Sequence, residues 1–301
     1  MNKIKKHFGF VSIVGRANVG KSSLLNKIFD RKISIVSHVP QTTRYQIRAV
    51  LTDKDKGQIV FLDTPGLYVA KDILGKYMRL SLNDAQEAAD LVYYVVDVLR
   101  SPGDEEIKLM HNLAKLDKPL IMILNKIDKA DTFLSKYILL WKELNPKRIP
   151  EYFIPTSATT GFNIDKLVNA TFSLLPQGEE QYNKNTSVDF PKELAVADII
   201  REKLLLALKQ ELPHSLAVVI DEFTKRNKKL VYIKARIIVE RPSQKEIVIG
   251  KKAAQLKKIG VAARKDIERR IKKMVFLEIN VSVNKKWRDD PEILKKLRYV
   301  S

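Results

Sequence analysis

The chain contains no cysteine, which excludes disulfides and thiolate metal sites and suits a reducing cytoplasm. Apolar runs of membrane length are also missing. The basic N-terminus, Met1 to Phe8, leads straight into a short strand-like stretch, too brief for a signal-peptide core or a membrane span. Neither internal repeats nor low-complexity tracts break the sequence. Acidic residues are in short supply, with 35 Asp and Glu against 55 Lys and Arg. What remains is a composition of 45% hydrophobic and 30% charged residues over 301 positions, the profile of two soluble domains with real cores.

The positive charge is unevenly spread. Of the net +20, residues 181–301 carry +14, from 29 basic and 15 acidic side chains. The stretch 225–273 alone holds 18 basic and 4 acidic residues. Such a patch points to a polyanion, either RNA or an acidic membrane surface.

Four short segments in the first 160 residues describe a nucleotide pocket. Gly15-Arg16-Ala17-Asn18-Val19-Gly20-Lys21-Ser22 fits the phosphate-loop pattern, in which backbone N–H groups wrap phosphates and a lysine reaches the outer two. Asp63-Thr64-Pro65-Gly66, Asn125-Lys126-Ile127-Asp128 and Ser157-Ala158 follow in order. The Asp128 carboxylate can accept from both the ring N–H and the exocyclic amine of guanine. Adenine offers no such pair, and a site left with unmade hydrogen bonds rejects the wrong ligand by roughly 10⁴-fold. The implied ligand is GTP or GDP with Mg²⁺.

Each residue then has an expected role. Gly15 and Gly20 permit the tight turn, and the helix beginning at Lys21 presents its positive end to the phosphates. Lys21 meets the β- and γ-phosphates, and the Ser22 hydroxyl ligates Mg²⁺. Asp63 holds the metal through water, and the Gly66 N–H senses the γ-phosphate, so residues 64–72 form a switch. A second switch lies between Phe29 and Ile47. There Thr43 is favoured over Thr42 to complete the Mg²⁺ sphere, although spacing leaves both open. Asn125 ties the base loop to the phosphate loop, Lys126 covers the guanine face, and Ala158 gives an N–H to the base carbonyl. Leu67 stands where small GTPases place a water-positioning glutamine, so slow intrinsic hydrolysis is expected. Asn18 is a candidate K⁺ ligand that would bring charge to the phosphates.

Continuous apolar runs at 8–14, 58–62, 91–97, 119–124 and 151–156 read as strands of a parallel sheet covered on both faces. Helical stretches at about 21–29, 75–89, 104–116, 132–145 and 163–175 alternate with them. The fold class expected is a doubly wound α/β phosphate-loop domain with a mostly parallel sheet, binding at the carboxyl ends of its strands. Its expected extent is 1–178, with a polar linker at 179–191 and a small α+β domain at 192–301. In the latter, a helix from about 192 precedes strands at 216–223 and 230–239, an amphipathic helix at about 252–273 and a strand at 275–283.

Gln41-Thr42-Thr43-Arg44, Asp63-Thr64-Pro65-Gly66-Leu67 and the Asn125–Asp128 segment together resemble the Era branch of the translation-related GTPases. Ile199-Ile200-Arg201-Glu202-Lys203, Val239-Glu240-Arg241, Ile249-Gly250-Lys251-Lys252, Ala263-Arg264-Lys265-Asp266 and Trp287 extend the resemblance along nearly the whole chain. It implies a GTPase joined to a type II KH domain that binds 16S ribosomal RNA near its 3′ end and assists maturation of the small ribosomal subunit. KH domains clamp single-stranded RNA with a Gly-x-x-Gly loop between two helices. Here the expected RNA-binding residues are Ile249, Gly250, Lys251, Lys252, Ala253, Lys257 and Lys258. Ala253 replaces the second glycine of that loop, a change that is tolerable if the position has negative φ, with RNA binding expected to survive in weakened form. Ala17 replaces a common proline, and Glu193 and Leu194 also depart from the family pattern. The protein is expected to be a cytoplasmic monomer, with peripheral contact with the inner face of the cell membrane as an additional option. The alternative function is a membrane-associated regulatory GTPase docked through its basic C-terminal domain.

Overall fold

The structure is a computed structural model and describes residues 6–37, 39, 42–65, 72–129, 132–208 and 215–299. Contacts divide these into two compact units. The first takes residues up to Val36, those from Thr43 through the Asp63 strand, and Met78–Asp189. The second takes Phe190 onward, with short pieces that include Thr42 and 72–77.

In the first unit, β1 (His7–Val14), β3 (Gly57–Asp63), β4 (Leu91–Asp97), β5 (Leu120–Asn125) and β6 (Tyr152–Thr156) run parallel. β3, β4 and β5 are buried at every position, the signature of strands covered on two faces. Helices α1 (Lys21–Ile28), α2 (Ile73–Ala88), α3 (Asp104–Ala114), α4 (Leu134–Leu144) and α5 (Ile164–Leu174) alternate with them. The sheet order is β6-β5-β4-β1-β3-β2-β7, so the chain winds outward from β1 in both directions. This is the doubly wound α/β class expected.

Two strands were not foreseen. β2 (Ile47–Asp53) pairs antiparallel with β3, and its sequence Ile-Arg-Ala-Val-Leu-Thr-Asp mixes apolar and polar residues without a clean period. β7 (Val188–Asp189) pairs with β2 inside the polar stretch read as a linker. That stretch is further tied to the sheet by Gln58, whose amide donates to the Tyr182 carbonyl at 2.6 Å and accepts from its N–H at 3.1 Å. Neither carries a readable pattern: β7 is two residues within a polar stretch, and β2, although paired on both sides, has no clean apolar period.

Register sets the level of the loops. Asp97 pairs with Asn125, and Asn125 with Thr156; Asp63 lies opposite Ile13. The carboxyl ends of five parallel strands therefore finish close to one row, where ligands bind in open α/β sheets.

In the second unit, α6 (Lys192–Ala207) leads into β8 (Ala217–Lys225), β9 (Leu230–Val239), α7 (Pro242–Ile249), α8 (Ala254–Ile271), β10 (Met274–Val283) and α9 (Pro291–Lys296). β9 is the central strand, antiparallel to β8 and parallel to β10. Its alternate residues Val231, Ile233, Ala235 and Ile237 face the helices and pack with Ile200, Leu204, Ile259, Ala263 and Ile267, the period-two and helical patterns meeting in one core. Trp287 is fully buried, with its indole N–H on the Ser215 carbonyl at 3.1 Å.

Candidate nucleotide pocket and nucleic-acid loop

The phosphate loop spans the turn between β1 and α1. Gly15 (φ 157°) and Gly20 (φ 101°) sit at its ends. A Cβ at Gly20 would stand 2.4 Å from the Asn125 amide nitrogen, and one at Gly15 would meet the Val95 carbonyl at 2.3 Å. Glycine is needed at both places, at Gly20 also because L side chains rarely tolerate that φ. Arg16 leaves the loop sideways to ion-pair with Glu105 at 2.6 Å and Glu106 at 3.3 Å on α3.

Lys21 is buried and curls into the loop, where its ammonium donates to the Gly15 and Arg16 carbonyls at 2.7 and 2.8 Å. Burial pushes its pKa down to about 8, with the Asp63 carboxylate acting in the opposite direction. Three oxygen donors converge next to it. The Ser22 hydroxyl is 3.0 Å from the Thr43 hydroxyl and donates to Asp63 Oδ2 at 3.2 Å. Two hydroxyls and one carboxylate make a hard, oxygen-only set that fits Mg²⁺, an ion that keeps waters and phosphate oxygens for its other positions. Thr42 is turned elsewhere, its hydroxyl donating to the Val39 carbonyl at 2.6 Å and lying 2.7 Å from the Ser37 hydroxyl. Thr64 is buried, with its hydroxyl on the Ile13 carbonyl at 3.3 Å. Gly66 and Leu67 lie outside the described residues.

At the base end, Asn125 is 1% exposed. Its amide donates to the Val19 carbonyl at 2.9 Å, and its carbonyl accepts from the Ala158 N–H at 3.1 Å and the Thr156 hydroxyl at 3.4 Å. The Ala158 N–H, expected to face the base, is thus engaged by Asn125. The reason is the β5–β6 register, which brings residue 125 level with 156. Lys126 (φ 75°) reaches the Asn18 carbonyl at 2.9 Å and Asp97 at 2.6 Å. Asp97 was not singled out in the sequence; its signal was a carboxylate ending a fully apolar run, as Asp63 does. Asp128 is exposed, leaving its carboxylate open to a ligand, and the Ser157 hydroxyl caps its own loop by accepting from Thr160 N–H at 3.0 Å.

In the second unit, Gly250 (φ 71°) ends α7, and Lys251–Ala253 form a tight kinked turn before α8. Lys251, Lys252, Lys257 and Lys258 are exposed, and a shallow groove along α8 is lined by Ala254, Lys257, Lys258, Val261, Ala262 and Lys265. The condition set for Ala253 is not met. Its φ is 58° and that of Lys252 is 50°, so both hold the left-handed conformation that glycine adopts most easily. Among the described residues no helix is long and apolar enough to cross a membrane.

Residues 10–126 match the family model of a 50S ribosome-binding GTPase, and residues 211–288 that of a KH domain. The chain is 42% identical over 282 residues to GTPase Era of Carboxydothermus hydrogenoformans, covering 93% of this chain and 94% of that one. It is also 42% identical to GTPase Era of Alkaliphilus metalliredigens, over 97% of this chain and 98% of the relative. The chain belongs to the Era GTPases.

Two solved Era structures share the fold at 36% identity, each covering 98% of this chain and the whole of the other. One is a tyrosine-to-alanine variant of Era from Aquifex aeolicus bound to GDP·AlF₄⁻, with a TM-score of 0.90. The other is Era in complex with MgGDPNP and nucleotides 1506–1542 of 16S ribosomal RNA, with a TM-score of 0.92. This Era-family chain is accordingly a GTPase with a C-terminal KH domain, as its sequence motifs imply.

In nucleotide-free protein, Lys21 loses its proton near pH 8 when folded but near 10.5 when unfolded. The unfolded chain therefore binds more protons in that window, and stability rises as pH increases through it. Urea unfolding of wild type should gain roughly 2–3 kcal/mol at most between these pH values relative to Lys21→Met, which lacks the titration. For the loop of the second unit, Ala253→Gly should stabilise the fold by about 1 kcal/mol, read as a higher urea midpoint, because glycine removes the left-handed strain.

Proposed function

We propose that the chain is a GTP-operated switch that binds 16S ribosomal RNA near its 3′ end and assists maturation of the small ribosomal subunit. The observation that carries the switch is the convergence of Ser22, Thr43 and Asp63 beside Lys21. In this reading Lys21 abandons the loop carbonyls for the β- and γ-phosphates, with the backbone N–H groups of residues 15–22 around them. Ser22 and Thr43 would hold Mg²⁺ directly and Asp63 through water, and the ion would supply positive charge to offset that of the phosphates. Thr43 belongs to the segment between α1 and β2, so its engagement depends on the γ-phosphate, and loss of that group releases it. The Gly66 N–H, in the Asp63-Thr64-Pro65-Gly66 segment, would supply a second such contact. Asp128 selects guanine, and the Lys126 stem covers its face.

RNA binding is supported by the KH topology and by exposed Lys251, Lys252, Lys257 and Lys258 around the α7–α8 turn. A relative of 36% identity was crystallised with nucleotides 1506–1542 of 16S ribosomal RNA, a segment much longer than the four nucleotides that a KH loop clamps. The cysteine-free chain suits the reducing cytoplasm where ribosomes are assembled.

Leu67 has no polar group with which to orient water, so hydrolysis is assigned a slow intrinsic rate, helped by K⁺ at Asn18. Asn18 is exposed at the loop's outer rim with φ 64°, where an amide oxygen can reach a monovalent cation beside the phosphates. Replacing K⁺ by Na⁺ should slow GTP turnover, and an unchanged rate removes K⁺ from the scheme. The functional reading itself is tested by crosslinking the GTP-bound protein to cellular RNA and sequencing the attached fragments. Enrichment of the 3′ end of 16S ribosomal RNA is expected; enrichment of messenger RNA would overturn the assignment.

A further inference from the structure

Helices α6, α7 and α8 cover one face of the three-stranded sheet of the second unit. On the other face α9 packs on β8 and Val219 and Ile238 are buried, and the remainder, toward the β8–β9 turn, is open. On that face Tyr232 of β9 and Phe276 of β10 are direct cross-strand partners. Their rings stack at 24° with centroids 5.8 Å apart. Phe276 is 60% exposed and its strand neighbour Met274 is 66% exposed, an uncommon outlay of large apolar side chains on an edge strand. The Arg226 guanidinium lies 4.9 Å from the Tyr232 ring centroid.

A cross-strand aromatic pair is by itself an ordinary way to stabilise a sheet. What surrounds this one is not ordinary. The β8–β9 turn reads Lys225-Arg226-Asn227-Lys228-Lys229-Leu230, and Arg226 N–H bonds the Leu230 carbonyl to close it tightly. β10 begins against this turn, with Met274 N–H on the Lys229 carbonyl at 2.9 Å. Exposed Lys225, Lys228, Lys229 and Lys272 are thereby gathered at the end of the sheet that carries the rings. The carboxylates on the same face are already engaged. Glu278 accepts from the Tyr232 hydroxyl at 2.6 Å and pairs with Lys234, and Glu222 accepts from Thr224 and pairs with Arg226.

We propose that this open face is a second RNA surface, on which unpaired bases stack against Phe276 and Tyr232 while their phosphates lie along the lysines of the β8–β9 turn. Exposed rings beside a basic track are the combination that binds single strands without strong sequence preference. The surface is separate from the Gly250–Ala253 turn, because α7 and α8, which flank that turn, sit on the opposite side of β9. The inference rests on the RNA-binding reading above and extends it: an RNA longer than the clamp has somewhere to go.

The test uses the full chain and two single-stranded RNA probes from the 16S 3′ end, one of about 20 nucleotides and one of about five that fills only a KH clamp. Phe276→Leu keeps apolar bulk but removes the stacking ring, whereas Phe276→Tyr keeps the ring. Phe276→Leu should weaken the long probe at least about fivefold and leave the short one unchanged, with Phe276→Tyr within about twofold of wild type on both. Joint replacement Lys251→Glu and Lys252→Glu should weaken both probes. If Phe276→Leu binds the long probe as wild type does, while the lysine variant loses both, the second surface is refuted and the clamp stands. Should wild type bind neither probe, the RNA reading falls with it. Phe276-dependent pelleting with phosphatidylserine vesicles, without Phe276-dependent RNA binding, would likewise overturn the proposal in favour of a lipid surface.

Discussion

Asn125, at the carboxyl end of β5, holds the phosphate loop and the base loops together through one buried amide. Its nitrogen is spent on the Val19 carbonyl and its oxygen on the Ala158 N–H and the Thr156 hydroxyl. A buried amide with both ends satisfied is worth keeping, because removing it strands several polar groups in a dry interior. The same side chain dictates its neighbour: Gly20 can carry no Cβ, since the amide nitrogen occupies that space. Two motifs more than a hundred residues apart are thus one mechanical piece.

The parallel sheet makes that piece possible. Its register brings Asp97, Asn125 and Thr156 level and places Asp63 beside the last turn of β1. Carboxylates, amides and hydroxyls then appear at the same height, where the apolar strands end and solvent begins. Lys126 exploits this by spanning Asn18 and Asp97. The lysine of the phosphate loop is held differently, buried against carbonyls with its charge disfavoured. A phosphate ligand would relieve that cost, which gives the pocket an intrinsic preference for polyanions.

The second unit works by another constraint. Helices α6, α7 and α8 cover one side of its sheet, so β9 alternates between buried and half-buried residues from Leu230 to Ile237, while Ile238 and Val239 at its end are both buried. Core residues are Val, Ile and Ala, while the outward positions Tyr232, Lys234 and Arg236 are left for contacts. Loop strain is concentrated in the turn between α7 and α8, where Lys252 and Ala253 both take positive φ without glycine. The turn is tolerated because it is solvent-exposed and short, and because Gly250 absorbs the sharpest part of the bend at φ 71°.

Buried parallel strands could be read from the sequence because each is a continuous apolar run, and so could the nucleotide motifs, because phosphate and guanine recognition demand particular residues at particular spacings. Ile47–Asp53 and Val188–Asp189 could not, since edge and antiparallel pairings draw on backbone groups that leave little trace in side-chain pattern. Thr43 was favoured over Thr42 for the Ser22–Asp63 cluster, but spacing left both open, as adjacent threonines differ only in where the backbone aims them. The left-handed conformation of Ala253 is another such case, for alanine carries no mark of the φ imposed on it. Residue chemistry by itself determined that this chain recognises guanine nucleotide and bears a basic α+β partner domain. Only the folded chain decided which groups meet, because distances between remote residues are set by strand register and helix packing, and no local stretch of sequence contains them.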